Sequence, residues 1–427
     1  MAGFLGMRGT GDWVTDERPK SWRESVLYLY PNGDAPLTAI LSKMKSKRTT
    51  DAEFNWWTKT LPTQRGTVVD VYTDVALSSS YATGGADGDI LYVNMSAAHL
   101  LHFRIGHQVL LRNSDNYADD CNAKVVDRTS SGSDSYVAVK LLEDDPTTTG
   151  LADCDTILVV GSINSEGAAM PEAISYGPTK HYNYTQISRT PLSITRTARL
   201  TNLRTYDQYK EAKREALELH SIELEKSLIF GVKSEGTGSN GKPERTTEGM
   251  IKFITNNSGV TSDFTSDTDY TDTAWVDGGE DWLDEQLEQI FRYGSDERLG
   301  FCGSGVFLAI NKLIKLYGNY EFNERTKAYG IRVVEWHTPF GMIYLKRHPL
   351  FSYEETNRKS MLLFDPSDLH QRHITDTTFY GEGEKQNTGR GRIDGTDEEY
   401  LTEMGLEFHH PIKCGYFNGF GDDNGTP

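Results

Sequence analysis

TYDQYKEAKREALELHSIELEKSLIFG, from Thr205 to Gly231, is the longest helical pattern in the chain. Thr205 and Gln208 stand at capping-box spacing, in which two side chains each satisfy a backbone N–H that the first turn leaves unpaired. Gly231 is the expected stop, since glycine enters the left-handed cap conformation freely. Between them Tyr206, Tyr209, Ala212, Ala216, Leu219, Ile222 and Ile229 recur at helical spacing, and Leu217, Leu224 and Leu228 make a second apolar stripe. Two stripes predict a helix covered on two sides in its C-terminal half. Such a rod spans about 39 Å, enough to cross a domain and order the layers around it.

Before this spine the sequence is extended and strand-rich. Residues 1–50 read as an arm with one helical possibility, Ser21 to Tyr30, closed by the turn Pro31-Asn32-Gly33-Asp34. The runs Glu53 to Lys59 (Phe54, Trp56, Trp57) and Thr67 to Tyr72 predict a long exposed hairpin through Leu61 to Gly66, including Arg65. Its aromatic content points to a partner surface or to internal packing. Residues 89–163 give short, evenly spaced strands with polar turns, the pattern of a small barrel or sandwich. His181 to Ile187 and Leu192 to Thr197 lead back to the spine.

After Gly231 the pattern is mixed. Helices are predicted at Glu280 to Tyr293 and from a cap at Ser304 to Tyr317. A hairpin joins Ile331 to His337 with Met342 to Arg347, and Ser360 to Asp365 adds a strand. The loop Gly381 to Gly395 precedes a last pair of strands, Leu401 to His409 and Ile412 to Phe417. Helices beside an open sheet make an α+β domain.

A chain of 427 residues exceeds what one core usually organises, so two or three domains are expected. Its four cysteines are far apart, which favours neither a zinc knuckle nor a disulfide framework. The opening residues lack a basic stretch followed by an apolar run, and no eighteen-residue apolar stretch occurs, so a soluble chain with no membrane partner is expected. A net charge of −18 argues against a protein whose business is gripping nucleic acid. Residues 1–50 are the exception, with eight basic against five acidic side chains. Lys43, Lys45, Lys47 and Arg48 read there as a solvated basic turn or as a surface facing DNA.

No catalytic constellation survives inspection. Gly236 to Lys242 has phosphate-loop spacing, but Pro243 replaces the required Ser or Thr and a helix precedes it. His370 with His373, and His409 with His410, lack the carboxylate spacing of a metal site, so no metal and no cofactor are expected. Glu143-Asp144-Asp145 and Glu280-Asp281 fit a turn and a helix N-terminus better than a glycosidase pair. Cys302 stands where a nucleophile elbow needs glycine.

The order arm, long loop, spine, α+β domain and late strands resembles tailed-phage major capsid proteins of the HK-ninety-seven-type fold. Phe54-Asn55-Trp56-Trp57-Thr58, Asn183-Tyr184-Thr185-Gln186-Ile187 and Ile222 to Gly231 are similar to the subfamily with a β-module inserted in its extended loop. The resemblance implies an α+β subunit with residues 1–50 as N-terminal arm and 51–200 as extended loop, the module occupying 89–163. It places the peripheral domain at 201–245 and 360–427, with the spine helix at 205–230, and the axial domain at 246–359. It further implies a non-enzymatic subunit that assembles in the host cytoplasm into hexamers and pentamers of an icosahedral or prolate virion shell around double-stranded DNA. Its partners would be its own copies, a separate scaffold, a portal, decoration proteins and weakly held DNA. Trp22, Tyr28, Phe54, Trp56, Trp57 and Arg65 are the expected inter-subunit contacts. A decoration or tail protein, an encapsulin-like compartment and a β-rich glycan hydrolase are the competing classes.

Overall fold

The computed structural model describes residues 45–60, 62–116, 119–145, 150–201, 208–317, 322–328, 331–381 and 395–425. The chain forms two compact units, Met1–Thr58 with Lys180–Pro427, and Lys59–Thr179. Strands β1 (Lys45–Arg48) and β2 (Glu53–Thr58) belong to the first.

The second unit is a closed barrel. It contains β3 (Arg65–Tyr72), β4 (Ile90–Met95), the short helix α1 (Ala97–Leu100), β5 (His107–Arg112), β6 (Cys121–Thr129), β7 (Tyr136–Leu141) and β8 (Thr156–Ser162). The strands run in the order β3-β4-β7-β6-β5-β8, and β8 pairs back onto β3. Alternation aims Leu91, Val93, Val109, Leu111, Val125, Val139 and Ile157 inward, where Leu100, Phe103 and Leu151 complete the filling. A Cβ on Gly66 would stand 3.1 Å from the Phe103 ring, so that glycine makes room for the plug. The interior is a packed core, not a ligand cup.

The predicted hairpin is corrected here. β3 is a barrel stave, so the module begins at Arg65 and not at residue 89, and β2 instead pairs with β9 (Thr179–Tyr184). The reason is burial: β2 alternates with Phe54 and Trp56 inward, which needs the core of the first unit, while Val68 and Val71 of β3 fill the barrel. Proximity in sequence suggested a pairing that burial overrode.

The first unit continues with β10 (Gln186–Thr195), α2 (Arg196–Leu200), the spine α3 (Gln208–Phe230), and the hairpin β11 (Ser234–Thr237) with β12 (Pro243–Thr246). Then come α4 (Met250–Asn256), β13 (Val260–Asp263), α5 (Trp275–Phe291), β14 (Glu297–Cys302), α6 (Ser304–Tyr317), β15 (Phe322–Ala328), β16 (Ile331–Thr338) and β17 (Gly341–Arg347). Last are α7 (Pro349–Tyr353), β18 (Met361–Phe364), β19 (Leu369–Tyr380), β20 (Gly395–Phe408) and β21 (Gly415–Asn418). Four strands form the sheet β1-β19-β20-β10, and seven form β13-β21-β18-β14-β17-β16-β15. The two final strands lie in different sheets.

The spine is helical over the described residues Gln208–Phe230, and its faces differ from those predicted. Leu224, Leu228 and Ile229 are buried, but Leu217 and Leu219 are 41% and 49% exposed. His220 and Glu225 are buried in their stead, because each meets a polar partner: His220 lies 2.9 Å from Thr190 Oγ1 through Nδ1 and 2.7 Å from Thr402 Oγ1 through Nε2. The Thr205 cap lies outside the described residues. Gly231 ends the helix without a positive φ. Its role is close approach: a Cβ there would overlap Ser227 O and sit 2.6 Å from Thr247 O, and a Cβ on Gly249 would sit 2.6 Å from Gly231 N. Two glycines thus let the helix end touch the backbone leading into α4, which the Gly249 N–H donating to Gly231 O at 3.0 Å ties down.

Candidate functional site

Phe54 and Trp56 are each 5% exposed. Their rings stack on each other at 6.0 Å, and Trp56 also meets His181 at 5.9 Å and Phe253 at 5.8 Å. They are core residues of their own subunit, which corrects the expectation that they contact another one. The strand's alternation puts Trp57 on the opposite side, 63% exposed. Arg65, also exposed, donates to Thr156 Oγ1 across the β3–β8 seam at 3.1 Å. Trp22, Tyr28 and Lys43 lie outside the described residues. Lys45, Lys47 and Arg48 lie on β1, all exposed, and β1 runs parallel to β19.

The motif Asn183-Tyr184-Thr185-Gln186-Ile187 owes its residue types to a buried lock. Asn183, 1% exposed, donates through Nδ2 to Leu406 O (2.7 Å), Thr247 Oγ1 (3.1 Å) and Glu248 O (3.2 Å). Its Oδ1 accepts from the Glu248 and Tyr184 amides at 2.8 Å. One amide therefore fastens β9, the approach to α4 and β20. Sequence reading used the motif as a resemblance and missed this role; an asparagine inside a strand of otherwise β-favouring residues was the available signal.

The other polar clusters are also structural. Among the described residues no group of three His, Cys, Asp or Glu could hold a metal ion. His370 and His409 pack ring to ring at 4.8 Å, and His373 Nδ1 lies 2.9 Å from Ser46 Oγ. Glu143 accepts from the Asn122 amide and Asp145 from the Tyr81 hydroxyl, both at 2.5 Å, so that acidic run braces a turn of the barrel. Gly236 to Lys242 caps the β11–β12 hairpin, with Gly241 at φ 70°, and does not open a helix. The four cysteines are buried thiols, with burial pushing Cys121 up to about 12 and Cys154 up to about 11. No described helix is long and apolar enough to cross a membrane.

Glu407 gives this sheet a pH dependence. Its carboxylate, 4% exposed, pairs with Arg372 and lies 2.6 Å from His409 Nε2. Burial alone would raise its pKa, but the His409 and Arg372 hydrogen bonds outweigh that and hold it down at about 2 against an ordinary 4.5. A depressed carboxylate contributes stability above its unfolded pKa and loses it as pH falls through the folded value. Glu407→Gln is expected to flatten the fall of the urea midpoint between about pH 5 and pH 2, an effect of about 3 kcal/mol. An unchanged acid limb would refute the assignment.

Residues 20–420 match the sequence model of the family described as SU10 major capsid protein. The major capsid protein of Pseudomonas phage PaMx41 is 22% identical over 413 residues, covering 94% of this chain and 92% of that one. Among solved structures, Mycobacterium phage Bobi aligns at 6% identity over 96% of this chain and 97% of its own, with a TM-score of 0.46. The capsid of Myoviridae phage XM1 aligns at 9% identity over 96% and 99%, with a TM-score of 0.42.

Proposed function

Because the chain belongs to the SU10 major capsid protein family, we propose that its copies join as hexamers and pentamers into an icosahedral or prolate head around double-stranded DNA. It is a phage major capsid protein, a structural component of the virion, with the HK-ninety-seven-type fold. The observation that carries the reading is the family match from residue 20 to residue 420. A shell subunit needs no active site; it needs surfaces that become buried on assembly and many weak contacts that add up by avidity.

Within that reading the arm is residues 1–50 and the extended loop 51–200, its barrel starting at Arg65. The spine helix lies in a peripheral domain of 201–245 and 360–427, and 246–359 make the axial domain. Assembly takes place in the host cytoplasm with a separate scaffold, a portal and decoration proteins. Trp57, Arg65, Trp22 and Tyr28 are the proposed inter-subunit contacts, and Lys43, Lys45, Lys47 and Arg48 face the packaged DNA.

Electron microscopy with light scattering on the purified chain, alone and with its scaffold, tests the reading. Closed shells or capsomer rings are expected, and a dispersed monomer under both conditions would overturn it. Trp57→Ala is expected to leave the subunit's unfolding midpoint within about 0.5 kcal/mol of the parent, as for an exposed site, while cutting the yield of closed shells several-fold. Equal shell yields would remove Trp57 from the interface.

A further inference from the structure

Three imidazoles meet where the β2–β9 ribbon packs onto the rest of its unit. His181 of β9 stacks on Trp56 of β2 at 5.9 Å and lies 5.7 Å from the Phe253 ring of α4. His409 meets the same indole at 6.4 Å and packs on His370 of β19 at 4.8 Å. All three imidazoles are half-buried. Trp56 Nε1 is buried with no hydrogen-bond partner among the described residues, so ring packing holds the indole. Beside it, Thr58 Oγ1 lies 2.9 Å from His181 Nε2.

The carboxylates around these rings are already taken. Glu407 pairs with Arg372 and His409, and Glu248 lies 3.4 Å from Lys233. Lys45 of β1 acts on His370, and His410 stands 6.3 Å beyond His409. Burial, with Lys233 and His409, holds His181 below its ordinary pKa, and burial, with His409 and Lys45, does the same to His370. A hydrogen bond from Asn257 and the Glu248 charge oppose the first shift, and Glu407 and the Asp368 backbone the second, without reversing either. As neutral rings the imidazoles pack. A proton on His181 or His370 adds a half-buried positive charge with no free carboxylate to meet it.

We propose that His181, His370 and His409 make the root of the β2–β9 ribbon an acid-released latch, docked at neutral pH and freed in mild acid while the two large sheets stay folded. β2 and β9 lead out to residues 59–179 and back, so release acts on the attachment of the insert and not on the barrel core. The direction follows from linkage. A histidine whose pKa is lower docked than free contributes stability above the free value and loses it as pH falls below that value. The window therefore opens below about pH 6.5, above the acid limb that Glu407 governs. The Asn183 lock on β9 carries no titratable group, so it limits how far the ribbon opens.

Hydrogen exchange on the full-length unassembled chain reads the latch, with rates corrected for the intrinsic pH dependence of amide exchange. Between pH 7 and pH 5 the protection of β2 and β9 should fall roughly 10- to 100-fold, the range for one to two protons taken up over about one pH unit. β10 and β20 should keep theirs. His181→Gln combined with His370→Gln should show the same ribbon protection at pH 7 and pH 5, whereas His337→Gln, at an exposed ring on β16, should behave as the parent.

Unchanged ribbon protection in the parent at pH 5 would overturn the latch. So would an equal loss in β10 and β20, or a double variant that still opens in acid. If the double variant does not fold, the parent's contrast between ribbon and sheet decides alone.

Discussion

Replacing Arg298 with methionine is expected to destabilise the subunit by about 3–5 kcal/mol, the cost of breaking a buried charged network from one side. Arg298 is fully buried. Nη1 donates to Ser295 O (2.6 Å) and Glu297 O (2.8 Å), Nη2 to Tyr293 O (2.6 Å), and Nε to Lys413 O (3.1 Å). The guanidinium thereby closes the C-terminus of α5, fixes the turn into β14 and ties both to the segment before β21. Methionine fills the volume but leaves those carbonyls stranded in the core, each costing about 1–3 kcal/mol. Lysine retains the charge and still fails, because an ammonium with three donors cannot reproduce a planar fork. The urea midpoint of the unassembled subunit measures the effect; a methionine variant within about 1 kcal/mol of the parent would show that the cage is dispensable.

Asn183→Leu is expected to cost about 3–5 kcal/mol, the second largest effect, and to act on assembly only through folding. Leucine is near in shape but orphans the Glu248 amide and the Leu406 and Glu248 carbonyls, which lie where water does not reach. Asn183→Gln should not rescue, since one more methylene displaces all five hydrogen bonds in a packed site. Both variants are assayed by denaturant unfolding and by soluble yield. Parent-like stability in Asn183→Leu would mean that the motif is held by Phe54 and Trp56 alone.

The helices and the barrel strands were legible because each is a local periodic signal. α5 and α6 carry apolar residues at helical spacing, and the barrel staves alternate between polar turns. What could not be read were pairings between distant residues. Nothing near β2 announces a partner at Thr179–Tyr184, and β19 alternates so weakly, with most side chains half-buried, that its strand character comes from the ladder with β20. β1 is similar: four polar residues read as a turn become a strand because β19 offers an edge. The basic arm was visible as composition, whereas its alignment with His370, Arg372 and His373 is a product of register. Phe54 and Trp56 were recognised as aromatic and misplaced outside, because alternation tells which residues share a face and not which face is covered.

The way the barrel enters the chain bears on how such subunits change over evolutionary time. β2 leads out to residues 59–179 and β9 leads back, and the two are hydrogen-bonded neighbours. Both ends of the insert are therefore fixed about one strand spacing apart, near 4.8 Å, by the host alone. Any folded segment whose termini lie that close, or a tight turn in its place, meets the same boundary condition. The subunit thus carries a socket: lineages can trade what is plugged into it, and engineers can display a foreign domain there, without re-solving the fold of the part that holds it.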